Sequence, residues 1–364
     1  QQELLSNYQK QLEKTAWDLP QTSLGVEYGM INSRYTDNRF GLAQSFSFPT
    51  VYTRQKQLLR EEYKSSLLQL DVNKAELRRS VREAYFNLYY LNEKKKLLQR
   101  ADSLYGAFLV KAEARFKSGE SNVLEVTSAS AQRGQMNLQL QHLEMEQARV
   151  QAEFQLLLNT STQYIPDVVS TNELTITPSL QFNSNNPHLL VLEQNKVVSH
   201  AAYRTEKARL MPSLNVAYSN MTMFGSGSDN KSYTYNTRFQ SGQFGLGLPI
   251  FTGAQRARIK AAGIQQQIAE YSFSSGMIKM QSEYQLALQQ LDNYRKAQAY
   301  YDETGVPNSK LIIETANRQL NNGDINYLEW VMLTNQAIQI QNESLGANYQ
   351  FYNALIHILY LNNN

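Results

Sequence analysis

Side chains that ordinarily carry chemistry are sparse in this sequence. Cysteine is absent from its 364 residues. That removes disulfides, thiolate metal sites and cysteine nucleophiles together, and a lipidated N-terminal cysteine on the chain as it stands. His142, His188, His200 and His357 stand apart, without the spacing of metal ligands. No Gly-rich phosphate loop, nucleophile elbow or paired-carboxylate constellation occurs. Met221 and Met223 share one face of a predicted strand, where soft thioethers would suit a copper ion; the same two residues also read as apolar packing. Neither a cofactor nor an enzymatic activity is expected. The 35 basic residues are dispersed among 32 acidic ones, so no basic footprint for nucleic acid is expected either.

What remains is architecture. Hydrophobic residues make up 42% and mean hydropathy is negative, with Gln, Asn, Ser and Ala filling long stretches, as in thin helical bundles. No window approaches the roughly 18 consecutive apolar residues of a membrane-spanning helix, so any membrane crossing falls to strands. Residues Gln1 to Lys14 already read as amphipathic helix without signal-peptide regions; the chain is expected to be mature, or cut from something longer.

The sequence repeats itself. Leu19-Pro20-Gln21-Thr22-Ser23-Leu24-Gly25-Val26 corresponds to Met211-Pro212-Ser213-Leu214-Asn215-Val216, a proline followed by an alternating run. The run Phe40 to Pro49 likewise corresponds to Phe244 to Pro249. From Pro49 to Gly119, and again from Pro249 to Gly323, about 70 residues at 1.5 Å each predict roughly 100 Å of helix. Gly119 and Gly323 are the turn points of two helical hairpins. Leu70, Leu77, Val81, Ala84, Leu88, Leu91 and Leu98 predict a coiled-coil seam. The domains expected are a first strand-pair and hairpin unit at 1–158, a Thr-, Ser-, Asn- and Pro-rich linker at 159–186 with a short strand at Glu173–Ile176, and a second unit at 187–364.

The strands alternate. Leu24, Val26, Tyr28 and Met30 share a face, against Ser23, Gly25, Glu27 and Gly29; Phe40, Leu42, Phe46 and Phe48 face away from Gly41, Ala43, Ser45 and Ser47; Phe244, Leu246 and Leu248 oppose Gly245 and Gly247. Four strands cannot close a barrel, and each pair leads into a helix too long to fold back as cover. The economical solution is that several copies pool their strands, apolar faces toward lipid. The loops Asn32–Asn38 and Gly225–Asn236 would then protrude on the far side. The alternative weighed is a non-conducting coiled-coil scaffold or adhesin of the cell envelope.

In this order, twice, these phrases resemble the TolC-type outer-membrane factors, the exit ducts of tripartite efflux pumps and type I secretion systems. Further carriers of the resemblance are Ala208-Arg209-Leu210-Met211-Pro212-Ser213-Leu214, Gly245 to Gly253 and the two hairpin turns through Glu125-Val126 and Glu329-Trp330. The resemblance implies an α+β membrane protein of the bacterial outer membrane that extends into the periplasm. It implies a homotrimer with a twelve-stranded barrel in outer-membrane lipid and a twelve-helix tunnel, partnered by a periplasmic adaptor and an inner-membrane pump. Phe48-Pro49-Thr50-Val51-Tyr52 looks like the variant in ducts paired with metal-exporting pumps. Asn186-Pro187 opens the helix before the third strand as in the family. The first unit has no counterpart, so its first helix is expected to lack its beginning.

By the same resemblance the hairpin turns form the periplasmic entrance. Ser118, Gly119, Glu120, Asn322 and Gly323 are the adaptor-contacting tips. The family's entrance aspartates fall on Glu125 and Glu329, while its arginine position carries Ile325 and its second aspartate position Met332. Glu125, Glu329 and Asp324 are the candidates for carboxylate rings that favour cations, with Arg115 and Arg318 as latch partners. The competing expectation is that these are solvated helix-end charges.

Overall fold

The computed structural model describes residues 2–32, 34–166 and 181–363; the strand expected at Glu173–Ile176 lies outside the described residues. The elements run helix α1 (Gln2–Leu12), strands β1 (Ser23–Gly29) and β2 (Asp37–Phe46), and helices α2 (Pro49–Lys117), α3 (Val123–Leu158) and α4 (Pro187–Ala208). Strands β3 (Ser213–Thr222), β4 (Gly225–Ser226), β5 (Ser232–Tyr233) and β6 (Arg238–Gly247) follow, then helices α5 (Gly253–Tyr300), α6 (Val306–Asn322) and α7 (Tyr327–Leu361). Two compact units result, residues 1–72 with 187–277 and residues 73–186 with 278–364. Each draws on both predicted repeats. No helix among the described residues is long and apolar enough to cross a membrane.

The first unit is organised by an antiparallel sheet of order β1-β2-β3-β6. Its register aligns the alternating runs: Leu24 faces Leu42, which faces Tyr218, and one step on Gly25 faces Gly41, which faces Ser219. The even-numbered residues therefore share one face, apolar at Leu24, Val26, Leu42, Val216, Phe244 and Leu246 and interrupted by Gln44, Asn220 and Gln240; Val26 (62% exposed) and Phe244 (85%) show that no helix among the described residues covers it. On the other face Ser45 Oγ donates to Asn215 Oδ1 (2.6 Å) and the Ser219 and Ser241 hydroxyls bond each other at 2.8 Å. Strands β1 and β6 are edges with no partner on their outer side among the described residues.

The loops are more structured than their composition predicts. Asp37 and Asn38, expected in the first loop, begin β2, and the second loop contains the β4–β5 ladder, closed by Gly227 N–H to Lys231 O at 2.8 Å. The two loops are tied together by the fully buried Asp37 carboxylate, which accepts from the backbone N–H of Asn32 (3.3 Å) and Phe224 (2.9 Å).

Behind β2, Pro49 opens α2, where its missing N–H costs nothing and its fixed φ suits a helix. Tyr52 is held by stacking on Trp17 (5.2 Å between centroids) and by accepting from Ser47 N–H at 2.9 Å. The Phe48–Tyr52 phrase thus has a local job at the strand-to-helix junction. Helix α4 is fastened to the opening of α2 by Gln194, which donates to the Glu61 carboxylate at 2.8 Å.

The second unit is helical. In α3, Ala129, Met136, Leu143 and Val150 are buried seven residues apart, a strict coiled-coil seam. It packs on Ala84, Leu88, Leu91, Leu98 and Tyr105 of α2. The seam expected in α2 holds from Val81 through Leu98 and fails at its start, where Leu77 is 48% exposed and Val72 and Ala75 are buried instead. Helix α2 also has a second neighbour: Phe86 and Tyr90 stack on Tyr352 and Tyr349 of α7 at 4.4 and 4.8 Å. Between α6 and α7 the contact is made by small residues, with Ser309, Ala316, Thr334 and Ala337 all nearly inaccessible.

The arm expected to run unbroken to Gly323 contains Pro307, and a π-turn at Tyr301–Gly305 precedes it, with Val306 N–H bonded to Tyr301 O. Proline lacks the N–H for an ordinary helical bond and its ring crowds the carbonyl four residues back, so the wider turn accommodates it. The arm counts 70 residues from Gly253 to Asn322 against 69 in α2, and a π-turn is what one extra residue makes in an α-helix.

Candidate functional site: the two hairpin tips

Both tips close by the same hydrogen bonds. At the first, Gly119 N–H bonds Phe116 O and Glu120 N–H bonds Arg115 O; at the second, Gly323 N–H bonds Leu320 O and Asp324 N–H bonds Gln319 O. This is the Schellman pattern, and it needs a left-handed residue at its centre. Gly119 and Gly323 supply it with φ of 77° and 81°.

Three residues after each glycine an asparagine caps the next helix. Asn122 Oδ1 accepts from the N–H of Leu124 (3.0 Å) and Glu125 (3.2 Å), and Asn326 Oδ1 accepts from Glu329 N–H at 3.0 Å. Both candidate glutamates therefore sit at the third position of a capped helix. Glu329 returns the bond, its Oε2 accepting from Asn326 N–H at 2.9 Å, which completes a capping box. Glu125 accepts from Ser121 Oγ at 2.6 Å and lies 3.8 Å from the Arg115 guanidinium. The structure thus brings Arg115 and Glu125 together within one tip. Arg318 is exposed and forms no ion pair among the described residues, and Asp324 is reached only by Asn322 Nδ2, at 3.5 Å. Glu120 is fully at the surface, its carbonyl accepting a long bond from Arg115.

The two positions where the family's charges are replaced diverge. Ile325 packs against the helical core, while Met332 is 65% exposed. Met221, the thioether candidate in the strands, accepts from Asn32 Nδ2 (3.3 Å) and lies 3.8 Å from Arg39 Nη2. A guanidinium beside the sulfur opposes a copper cation, and these polar donors correct the reading of simple apolar packing. Among the described residues no three of His, Asp and Glu converge.

Sequence reasoning missed the aromatic core that fixes the tips. Tyr327 stacks on Phe108 (4.0 Å), Trp330 stacks on the same ring (5.0 Å) and Tyr105 meets Trp330 edge-on (5.8 Å). Trp330 Nε1 donates to Asn317 Oδ1 at 2.7 Å, and Tyr105 OH donates to Asn335 Oδ1 at 2.6 Å. Burial pushes the phenol of Tyr105 well above its ordinary range and that of Tyr327 upward as well, so they stay neutral. Sequence reasoning also passed over Leu124 and Leu328, 68% and 65% exposed at equivalent places in the two tips. The signal was in the repeated phrase Gly-acidic-x-Asn-x-Leu-Glu at 119–125 and 323–329.

The fold is that of known outer-membrane channels. The structure superposes on CusC with a TM-score of 0.81 (16% identity; 98% of this chain and 86% of that one). With the CmeC outer membrane channel of Campylobacter jejuni the TM-score is 0.78 (15% identity; 98% and 80%), and with the open state of the MtrE channel of Neisseria gonorrhoeae it is 0.74 (17% identity; 99% and 84%). No curated protein sequence matches the chain. The model of the outer membrane efflux protein family matches residues 181–362. That span is half of the chain and includes the second pair of long strands and the second hairpin. The chain therefore belongs to the outer membrane efflux protein family and is a protein of the outer membrane.

Proposed function

We propose that three copies of this chain form a passive exit duct, a twelve-stranded barrel in the outer membrane continued by a helical tunnel in the periplasm. It would receive its cargo from an inner-membrane pump through a periplasmic adaptor. The observation that carries this reading is the four-stranded sheet with a bare apolar face and two open edges. Exposed sheet edges and uncovered apolar faces are unstable in water, and closure with other copies in lipid removes both. The two-repeat chain supplies four strands and two hairpins, a third of such a tube.

In this reading the tips are the periplasmic entrance. Ser118, Gly119, Glu120, Asn322 and Gly323, with Leu124 and Leu328 beside them, form the surface offered to the adaptor. Arg115 holds Glu125 as an intrachain latch, and Glu329 and Asp324 contribute carboxylates to the entrance. The capping role of Glu329 favours the helix-end alternative for that residue and leaves Asp324 as the freer charge.

Planar-bilayer conductance of the purified protein, with native mass spectrometry in detergent, tests the duct. Discrete channels from a trimer are expected. A stable monomer without conductance would instead support a scaffold. For the entrance, block by trivalent cations is expected to weaken in Asp324→Asn and Glu329→Gln; unchanged block in both would remove the carboxylate rings from the reading.

A further inference from the structure

The small-residue face of the sheet is uniform except in one row. Reading across the strands, successive rows hold Ser213 and Gly247; Ser45, Asn215 and Gly245; Ser23, Ala43, Ala217 and Gln243; and Gly25, Gly41, Ser219 and Ser241. The next row toward the loops is Glu27, Arg39, Met221 and Phe239. Every residue of that row is large, and it carries the face's exposed charges. Asp37, one step further out, is wholly buried and its carboxylate is taken up by loop N–H groups.

The row is internally bonded and braced. Arg39 Nη1 meets Glu27 Oε2 at 3.0 Å, with side chains 35% and 58% exposed. Its Nη2 lies 3.8 Å from Met221 Sδ, to which Asn32 of the first loop also donates at 3.3 Å. Phe239 is held edge-on by Tyr233 of β5 at 5.1 Å. Thus each long side chain is fixed by a neighbouring strand or by a loop.

We propose that this row is a collar inside the outer mouth of the duct, where each copy presents one guanidinium–carboxylate pair to small charged solutes and so sets the local balance of anions and cations at that mouth. It rests on the duct reading, because the small-residue face is then the one that faces water while the apolar face meets lipid. The paired charges make the wild-type collar nearly neutral. Removing either one leaves its partner alone, once per copy, in the path of every ion. A unit charge about 7 Å from an ion in water changes the ion's local concentration by about threefold.

The absence of cysteine gives a direct test that does not depend on the state of the periplasmic entrance. Ser219→Cys lies one row inside the collar, and Tyr218→Cys lies on the apolar face. In outer-membrane vesicles, reaction rates are measured with positively and negatively charged methanethiosulfonate reagents of similar size. Ser219→Cys is expected to react and Tyr218→Cys to be shielded by lipid. In the Ser219→Cys background and low-salt buffer, Arg39→Gln is expected to raise the cation-to-anion rate ratio about sevenfold, because cations gain while anions lose, Glu27→Gln to lower it by a similar factor, and the double variant to return it to the starting value. If Ser219→Cys reacts but neither substitution moves the ratio, the collar is overturned and the duct stands. If Tyr218→Cys reacts and Ser219→Cys does not, the faces are reversed and both readings fall.

Discussion

Replacing Trp330 by alanine removes the ring on which the tips converge. The indole is 2% exposed, stacks on Phe108 and Tyr327, meets Tyr105 edge-on, and satisfies Asn317 through its N–H. Large-to-small changes of a buried tryptophan cost about 3–5 kcal/mol, of which an orphaned polar partner accounts for about 1–3. Because the tips and the strands belong to separate compact units, that loss is local and no single melting midpoint captures it. The assay is therefore hydrogen exchange followed by mass spectrometry. Protection of the amides in the first two turns of α7 is expected to fall about 10²- to 10³-fold, with the strand amides unchanged. Trp330→Phe keeps the stacking and loses the hydrogen bond, and is expected to fall between. Wild-type protection in Trp330→Ala would refute a tip core centred on this ring.

Gly305 lies in the π-turn, where an added Cβ would sit 2.8 Å from Tyr301 Cδ1 and 3.4 Å from Ile340 Cγ2; Gly305→Ala is expected to cost about 1–3 kcal/mol, read as faster proteolysis of the α5–α6 arm. Gly119→Ala and Gly323→Ala each force a Cβ into left-handed backbone, at about 1–2 kcal/mol, and limited proteolysis should show new cleavage confined to the substituted tip. His357 is held below its ordinary 6.5, first by burial and then by Arg79, against the opposing pull of Glu283 and Glu83. The unfolded chain then binds the proton more readily, so this stability is complete above 6.5 and declines as pH falls below it. The loss of hydrogen-exchange protection in the last turns of α7 between pH 7.5 and 5.5, corrected for the intrinsic exchange rate, should be smaller in His357→Gln than in the wild type.

The parts legible in sequence were those with short-range causes. Alternation over Leu24–Tyr28 and Phe40–Phe46 revealed which strand residues share a face, because a strand has a period of two whatever it packs against; Met30 and Phe48, expected on the same faces, lie just beyond the strands. Gly119 and Gly323 were readable as turns because only a left-handed residue closes a Schellman motif. The misses have longer-range causes. Phe86 and Tyr90 of α2 stack on α7, a second neighbour that no local pattern announces. The aromatic tip core joins Tyr105 to Trp330 across 225 residues of sequence. Two signals were present and passed over: Pro307 inside the second arm, and Asn at three residues before Glu125 and Glu329, which marks both glutamates as helix-capping positions before any functional role.

The open edges of the sheet carry a consequence for genetics. If three copies close into the ring proposed above, each must be both a donor of β6 and an acceptor at β1. A copy damaged at one edge alone still joins through the other and ends the chain of joining there. Such an allele would poison assembly in proportion to the cube of its dilution: with equal amounts of sound and damaged chain, about one trimer in eight would be wholly sound. Damage to the helical tips leaves both edges intact and lets the ring assemble, so the yield of assembled trimer is unchanged. A fall in assembled trimer in the presence of the normal chain thus separates lesions in the strands from lesions at the tips.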